Sequence, residues 1–153
     1  MLEDPKPLIY IANDHAGYQH KNLVKSLLDE EKYEVVDLGV FDEESADYPE
    51  RGRELGEKMH ENPKARGIAI CGSGIGICMA VNKMKGSRGV LATNPEMAEL
   101  ARVHNNANVL CLAGREGAMD EATLKATLEK FLDTPFEEDQ ERRVRRVKQL
   151  NEM

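Results

Sequence analysis

The sequence predicts an α/β fold: a single-domain, doubly wound parallel sheet of five strands with a C-terminal helical arm. Short runs rich in Ile, Val and Leu alternate with segments whose apolar residues recur at helical spacing, the pattern of repeated βαβ units. Such units imply a parallel sheet covered on both faces, with right-handed crossovers. The 153 residues, 41% of them hydrophobic, suit one core and therefore one domain spanning 1–153.

The elements follow in order. "PLIYIAN" (7–13) reads as a buried first strand. "YQHKNLVKSLLDEE" (18–31) reads as a helix, with Leu23, Val24, Leu27 and Leu28 at helical spacing. "YEVVDLG" (33–39) is the second strand, and "VFDEESADYPE" (40–50) a polar loop with Pro49 suited to the first turn of the next helix. That helix is "RGRELGEKMHEN" (51–62). "RGIAIC" (66–71) is strand three, and "GIGICMAVNKMK" (74–85) a helix rising from a glycine loop. "RGVLAT" (88–93), "PEMAELARVHNN" (95–106), "NVLCLAG" (108–114) and "DEATLKATLEKFLDT" (120–134) continue as strand, helix, strand and helix. A basic amphipathic tail, "RRVRRVKQLNEM" (142–153), closes the chain.

Charge and composition narrow the function. A formal charge of -7 argues against a general nucleic-acid partner, which needs a basic face. No apolar run approaches the ~20 residues that span a bilayer, and the acidic start "MLEDPKPLIYIAND" does not read as a secretory leader. Three cysteines are too few and too irregularly spaced for a zinc site. Free thiols fit a reducing, cytoplasmic compartment.

Ligands on doubly wound sheets bind beyond the carboxyl ends of the strands. The candidates are therefore Asn13-Asp14-His15, Gly39 onward, Cys71-Gly72-Ser73-Gly74, Thr93-Asn94 and Gly114-Arg115. In "GSGIG" (72–76) the backbone N–H groups can converge at the start of a helix, where the dipole adds positive potential. A nucleotide P-loop would close on Gly-Lys-Ser/Thr, and this run continues Ile-Cys-Met. A dinucleotide fingerprint would have a third glycine where Ile77 stands, and a cysteine phosphatase an arginine there. The plain alternative is a tight turn beside a buried cysteine. Cys71, at a helix N-terminus among backbone donors, has a setting that favours its thiolate. Cys78 and Cys111 read as core fillers. His104 falls on the connection before strand five, His15 stands beside Asp14, which can orient it or cap the next helix, and His20 and His60 read as solvated.

"NDHAGYQHK", "ESADYP", "ICGSGIGICMAVNK", "RVHNNANVL" and "AGREG", in this order and spacing, resemble the ribose-5-phosphate isomerase B family, which also contains the galactose-6-phosphate isomerase subunits. The resemblance runs over essentially the whole chain. It implies a flavodoxin-like (Rossmann-like) sheet and an aldose–ketose isomerase acting through an enediolate with no metal and no cofactor. It makes Cys71 the base, and the amides of Gly72, Ser73, Gly74, Ile75 and Gly76 the holders of the enediolate oxygens. Ser73 would move a proton between them. His104 would open the furanose ring, with Asn105 on a sugar oxygen, Asp14 and Tyr48 on hydroxyls, and His15 toward the phosphate. A subgroup with a glutamate base carries it where this chain has Ile77, so the chain resembles the cysteine type.

The family's phosphate-binding run departs here to "TPFEEDQERRVRRV". A two-residue insertion aligns Arg142 and Arg146 with the family's phosphate arginines, on one helical face. A shorter alignment selects Arg143, and Arg115 is a third candidate. The resemblance also implies that the arm, about 136–153, reaches a neighbouring subunit's site, hence a homodimer or a pair of dimers. The expected substrate pair is ribose 5-phosphate and ribulose 5-phosphate. A six-carbon or four-carbon sugar phosphate, a non-catalytic sugar-phosphate or nucleotide sensor, and an FMN flavoprotein are the rivals. With no Trp and few aromatic residues, the chain has little to stack on a flavin ring.

Overall fold

The computed structural model describes residues 4–153. Strands β1 (Leu8–Asn13), β2 (Glu34–Asp37), β3 (Arg66–Cys71), β4 (Gly89–Leu91) and β5 (Val109–Ala113) form one parallel sheet in the order β2-β1-β3-β5-β4. The three inner strands, β1, β3 and β5, are apolar runs buried almost throughout; β2 and β4 are shorter, less buried, and take the edges. Both faces are covered. Helices α1 (Tyr18–Leu27), α4 (Pro95–Asn105) and α5 (Glu121–Asp133) lay Val24, Ala98, Leu124, Leu128 and Phe131 on Ile9, Ile11, Ile68, Ile70, Leu110 and Leu112. Helices α2 (Tyr48–Glu61) and α3 (Ile75–Asn82) lay Leu55, Met59, Ile77 and Val81 on Tyr10, Ala69, Val109 and Cys111. Each such aliphatic or aromatic side chain contributes roughly 1.5–3 kcal/mol by leaving water. The arm ends in α6 (Glu141–Asn151), which packs against α4 and buries Val147 while Val144 and Leu150 stay exposed.

The α/β class, the five parallel strands and the helical arm are as the sequence predicts. The strand order is not the 2-1-3-4-5 of the flavodoxin-like sheet: β5 inserts between β3 and β4. β5 is the longer and fully apolar strand, so the central slot buries more than the three-residue β4 could. Thr93-Asn94 therefore follows an edge strand, where Asn94 accepts from Met97 N at 2.9 Å and caps α4.

Three local readings also change. The helix expected to reach residue 31 stops at Leu27, because Leu28 turns extended and the Asp29 carbonyl takes the amides of Lys32 and Tyr33. The helix expected to reach residue 85 stops at Asn82, whose side chain accepts from Gly89 N at 2.7 Å and donates to Gly89 O at 3.0 Å. His20 is not solvated: it is half-buried, its Nε2 has no partner, and burial lowers its pKa below the ordinary histidine value. Among the described residues no helix is long and apolar enough to cross a membrane.

Candidate active site

From the end of β1 the chain crosses to one face of the sheet, and from the end of β3 to the other. The two connections diverge and leave a crevice above the β1–β3 pair. From β1, Asp14 enters its floor. It is buried, donates its amide to Ile70 O (3.1 Å), and its Oδ1 accepts from Gly17 N (3.1 Å), capping a 3-10 turn over His15–Gly17. Of the two roles open to Asp14, capping is the one its bonds support. His15 is exposed beside it, with Nδ1 at 3.1 Å from both the amide and the carbonyl of Ala46.

From β3 comes Cys71, the last residue of the strand and 4% exposed. The loop after it turns at Gly74, whose φ of 76° suits glycine, and where a Cβ would meet Leu112 C at 2.8 Å. The Ser73 hydroxyl accepts from Ile75 N at 3.2 Å. Among the described residues, the amides of Gly72, Ser73, Gly74 and Gly76 donate to no backbone carbonyl. Four free donors at the start of α3, where the helix dipole is positive, make a cradle for negatively charged oxygen. Tyr48, opening α2, stands against this loop: a Cβ on Gly76 would lie 2.7 Å from its ring. Because β5 sits beside β3, Gly114 N bonds Cys71 O (2.8 Å) and Arg115 N bonds Gly72 O (3.2 Å), placing exposed Arg115 at the same loop.

The other two cysteines are packed beneath the loop. Cys111 is completely buried, and desolvation pushes its thiol well above the ordinary range; Cys78 packs in the same cluster. Among the described residues no group of three or more His, Cys, Asp or Glu side chains could hold a metal ion.

One set of expected residues thus converges: Asp14, His15, Tyr48, Cys71, Ser73, the glycine-loop amides and Arg115. A second set lies elsewhere. His104 and Asn105 are the last two residues of α4, just before β5 begins, so they sit where strands start rather than where they end. From Gly67 to Cys71 alone the sheet rises roughly 13 Å. Helix α6 is on that same far side, since Arg88, which precedes β4, bonds Asn151 at 2.9 Å. Arg142 and Arg146 are exposed on α6, whereas Arg143 is half-buried and tied to Glu137. One chain alone does not assemble both sets.

Two buried cations, Lys21 and Arg102, and the half-buried Arg88 escape a reading by charge. Lys21 is 1% exposed, bonds Asp37 Oδ1 (3.1 Å) and Val40 O, and sits over the rings of Tyr18 and Phe41, so it fastens the loop after β2. Arg88 and Arg102 are bound to backbone carbonyls and amide side chains. Arg102 falls four residues after Ala98 on the buried face of α4, a periodicity that could have placed it inside.

The chain resembles known proteins along nearly its full length. The profile of the ribose/galactose isomerase family matches residues 9–150. A probable ribose-5-phosphate isomerase B of Mycoplasma pneumoniae is 43% identical over 130 residues, 84% of each chain. A solved ribose 5-phosphate isomerase of Thermotoga maritima superposes with a TM-score of 0.87 at 39% identity, covering 96% of this chain and 99% of that one. The ribose-5-phosphate isomerase B of Mycoplasma genitalium, solved with bound ribulose 5-phosphate, gives 0.86 at 37% identity, covering 95% and 94%.

Proposed function

The chain belongs to the ribose/galactose isomerase family, and from that premise we propose that it interconverts ribose 5-phosphate and ribulose 5-phosphate through an enediolate, as a homodimer. The observation that carries the substrate is the match, over 95% of this chain, to a protein solved with ribulose 5-phosphate bound.

The chemistry follows from the crevice. The Cys71 thiolate takes the proton from the carbon beside the carbonyl, whose oxygen gains the negative charge. The free amides between Gly72 and Gly76 face that charge as it develops. The Cys71 thiol returns the proton to the neighbouring carbon while Ser73 carries the hydroxyl proton between the two oxygens. Asp14 and Tyr48 hold sugar hydroxyls, and His15 and Arg115 lie toward the phosphate. His104 protonates the ring oxygen of the closed sugar, Asn105 binds a sugar oxygen, and Arg142 and Arg146 grip the phosphate with guanidinium forks. Because these last four lie at the opposite end of the sheet from Cys71, a neighbouring subunit supplies them. Exposed Ile75, Met79, Met97 and Leu100, on α3 and α4, offer an apolar surface for that contact.

Turnover of ribose 5-phosphate by the parent and by Cys71→Ala, with allose 6-phosphate and galactose 6-phosphate in parallel, tests the reading. Activity on the pentose phosphate that drops by about 10³-fold or more in the variant is expected. Activity on a hexose phosphate alone would overturn the substrate, and an active Cys71→Ala would overturn the base.

A further inference from the structure

Two arginines at the far edge of the sheet, Arg102 buried and Arg88 half-buried, converge on the turn that ends α4. Asn106 closes that helix in the left-handed conformation (φ 49°), unusual for a residue with a Cβ. Its side-chain oxygen accepts from Arg102 Nη1 at 2.9 Å, and the same nitrogen donates to Ala107 O at 2.5 Å. The Asn106 carbonyl accepts from Arg88 Nε at 2.9 Å. Asn108 completes the clamp, accepting the Arg88 amide at 2.7 Å and donating to Gly86 O at 2.8 Å. Both guanidinium groups also reach the C-terminal arm. Arg102 Nε donates to Thr134 O (3.1 Å), where the arm leaves α5, and Arg88 Nη1 donates to Asn151 Oδ1 (2.9 Å), at the end of α6.

None of the described ion pairs involves Arg88 or Arg102. Burial, together with the charges of Arg66 and Arg88, lowers the Arg102 pKa to about 10. A buried cation held only by carbonyls and amides is costly. What it supplies is geometry: a planar fork joins acceptors from two or three chain segments at fixed angles, which a lysine ammonium cannot do.

The segments so joined are the ones that carry His104 and Asn105 on one side and the ends of the Arg142 and Arg146 arm on the other. We propose that Arg102, braced by Arg88 across the Asn106 turn, is a positioning residue: it holds His104, at the end of α4, in the one arrangement in which that histidine completes a neighbouring subunit's Cys71 site. This rests on the dimeric reading above. A residue that acts only by keeping the chain folded would lower turnover in any background. A residue that acts through His104 would not matter once His104 is gone.

The test is a double-mutant cycle on ribose 5-phosphate turnover, with Arg102→Lys and His104→Ala alone and combined, each checked by circular dichroism for a folded chain. Arg102→Lys keeps the charge and loses the fork. Its kcat is expected to drop about 10- to 100-fold in the parent and to change less than about twofold in the His104→Ala background. Equal losses in the two backgrounds, or a kcat within about twofold of the parent for Arg102→Lys alone, overturn the positioning role. Parental turnover in His104→Ala alone overturns the role of His104 and this proposal with it, a result distinct from either. Should Arg102→Lys not fold, Asn106→Gly keeps the left-handed backbone and removes only the side-chain acceptor. It is expected to lose turnover several-fold in the parent and none in His104→Ala, and equal losses again overturn the role.

Discussion

Cys71 and Cys111 lie two rungs apart on neighbouring strands, with Cys111 opposite Ala69 and Cys71 opposite Ala113. That small offset puts Cys71 at the crevice end of its strand and Cys111 fully buried beneath it. It was readable from the sequence, because Cys71 ends an apolar run before glycines while Cys111 is enclosed by apolar neighbours. His20 was not readable in this way. Its burial comes from tertiary packing that no local pattern reports; the loop after β2 lies along the same start of α1, where the neighbouring Lys21 takes the Val40 carbonyl and the Asp37 carboxylate. Burial lowers the folded-state pKa of His20 below 6.5, so the unfolded chain takes up this proton first as the pH falls. Stability therefore rises with pH through the window between the folded value and 6.5, and declines as pH is lowered through it. Denaturant unfolding at about pH 7.5 and about pH 5 is expected to show a lower midpoint at acid pH, with a smaller decline in His20→Gln. An equal decline in both proteins would mean that His20 is not the source.

At the scale of elements, the class and order of the helices and strands followed from periodicity, and β3, which delivers Cys71, ran from Arg66 to Cys71 as expected. Helix ends were less legible where a terminal carbonyl or side chain turned to backbone further along the chain, as those of Asp29 and Asn82 do. The position of β5 beside β3 could not be read from local pattern at all, since either strand order buries a parallel strand. It is this placement that brings Arg115 to the glycine loop. The seating of α3, which the loop of free amides leads into, depends on a close approach to α2. A Cβ on Gly52 would lie 2.5 Å from the Ala80 Cβ and 3.1 Å from Ile77 O, neither of which can swing aside. Alanine normally favours a helix by up to about 1 kcal/mol over glycine. Here Gly52→Ala is expected to destabilise the protein by about 1–3 kcal/mol, because the helices must separate. Its denaturation midpoint should drop, and ribose 5-phosphate turnover with it; a midpoint at or above the parent's would show that α3 repacks freely.

For the whole molecule, the decisive feature is that a parallel sheet has two different ends. The order β2-β1-β3-β5-β4 gathers Asp14, Tyr48, Cys71 and Arg115 at one and leaves His104, Asn105 and α6 at the other. The sequence motifs carried both sets without saying that they part. His104 was visible as a residue before a strand, and only the parallel topology turns that into distance from Cys71. If the proposed dimer joins the two ends, Cys71→Ala and His104→Ala are defects in different subunits of each site. Mixing the two inactive proteins, with mild dissociation and reassociation, then produces mixed dimers in which one site pairs an intact Cys71 with an intact His104, while the other carries both defects. Half of randomly re-paired dimers are mixed and each holds one sound site of two, so turnover should recover to about a quarter of the parent's. A site built within one chain would recover nothing, since every chain in the mixture is defective. Arg102→Lys sharpens this further. If it acts on the subunit that supplies His104, it should cut the recovery about 10- to 100-fold when placed in the Cys71→Ala protein and leave it intact when placed in the His104→Ala protein. Recovery that ignores which protein carries the substitution would separate Arg102 from the shared site.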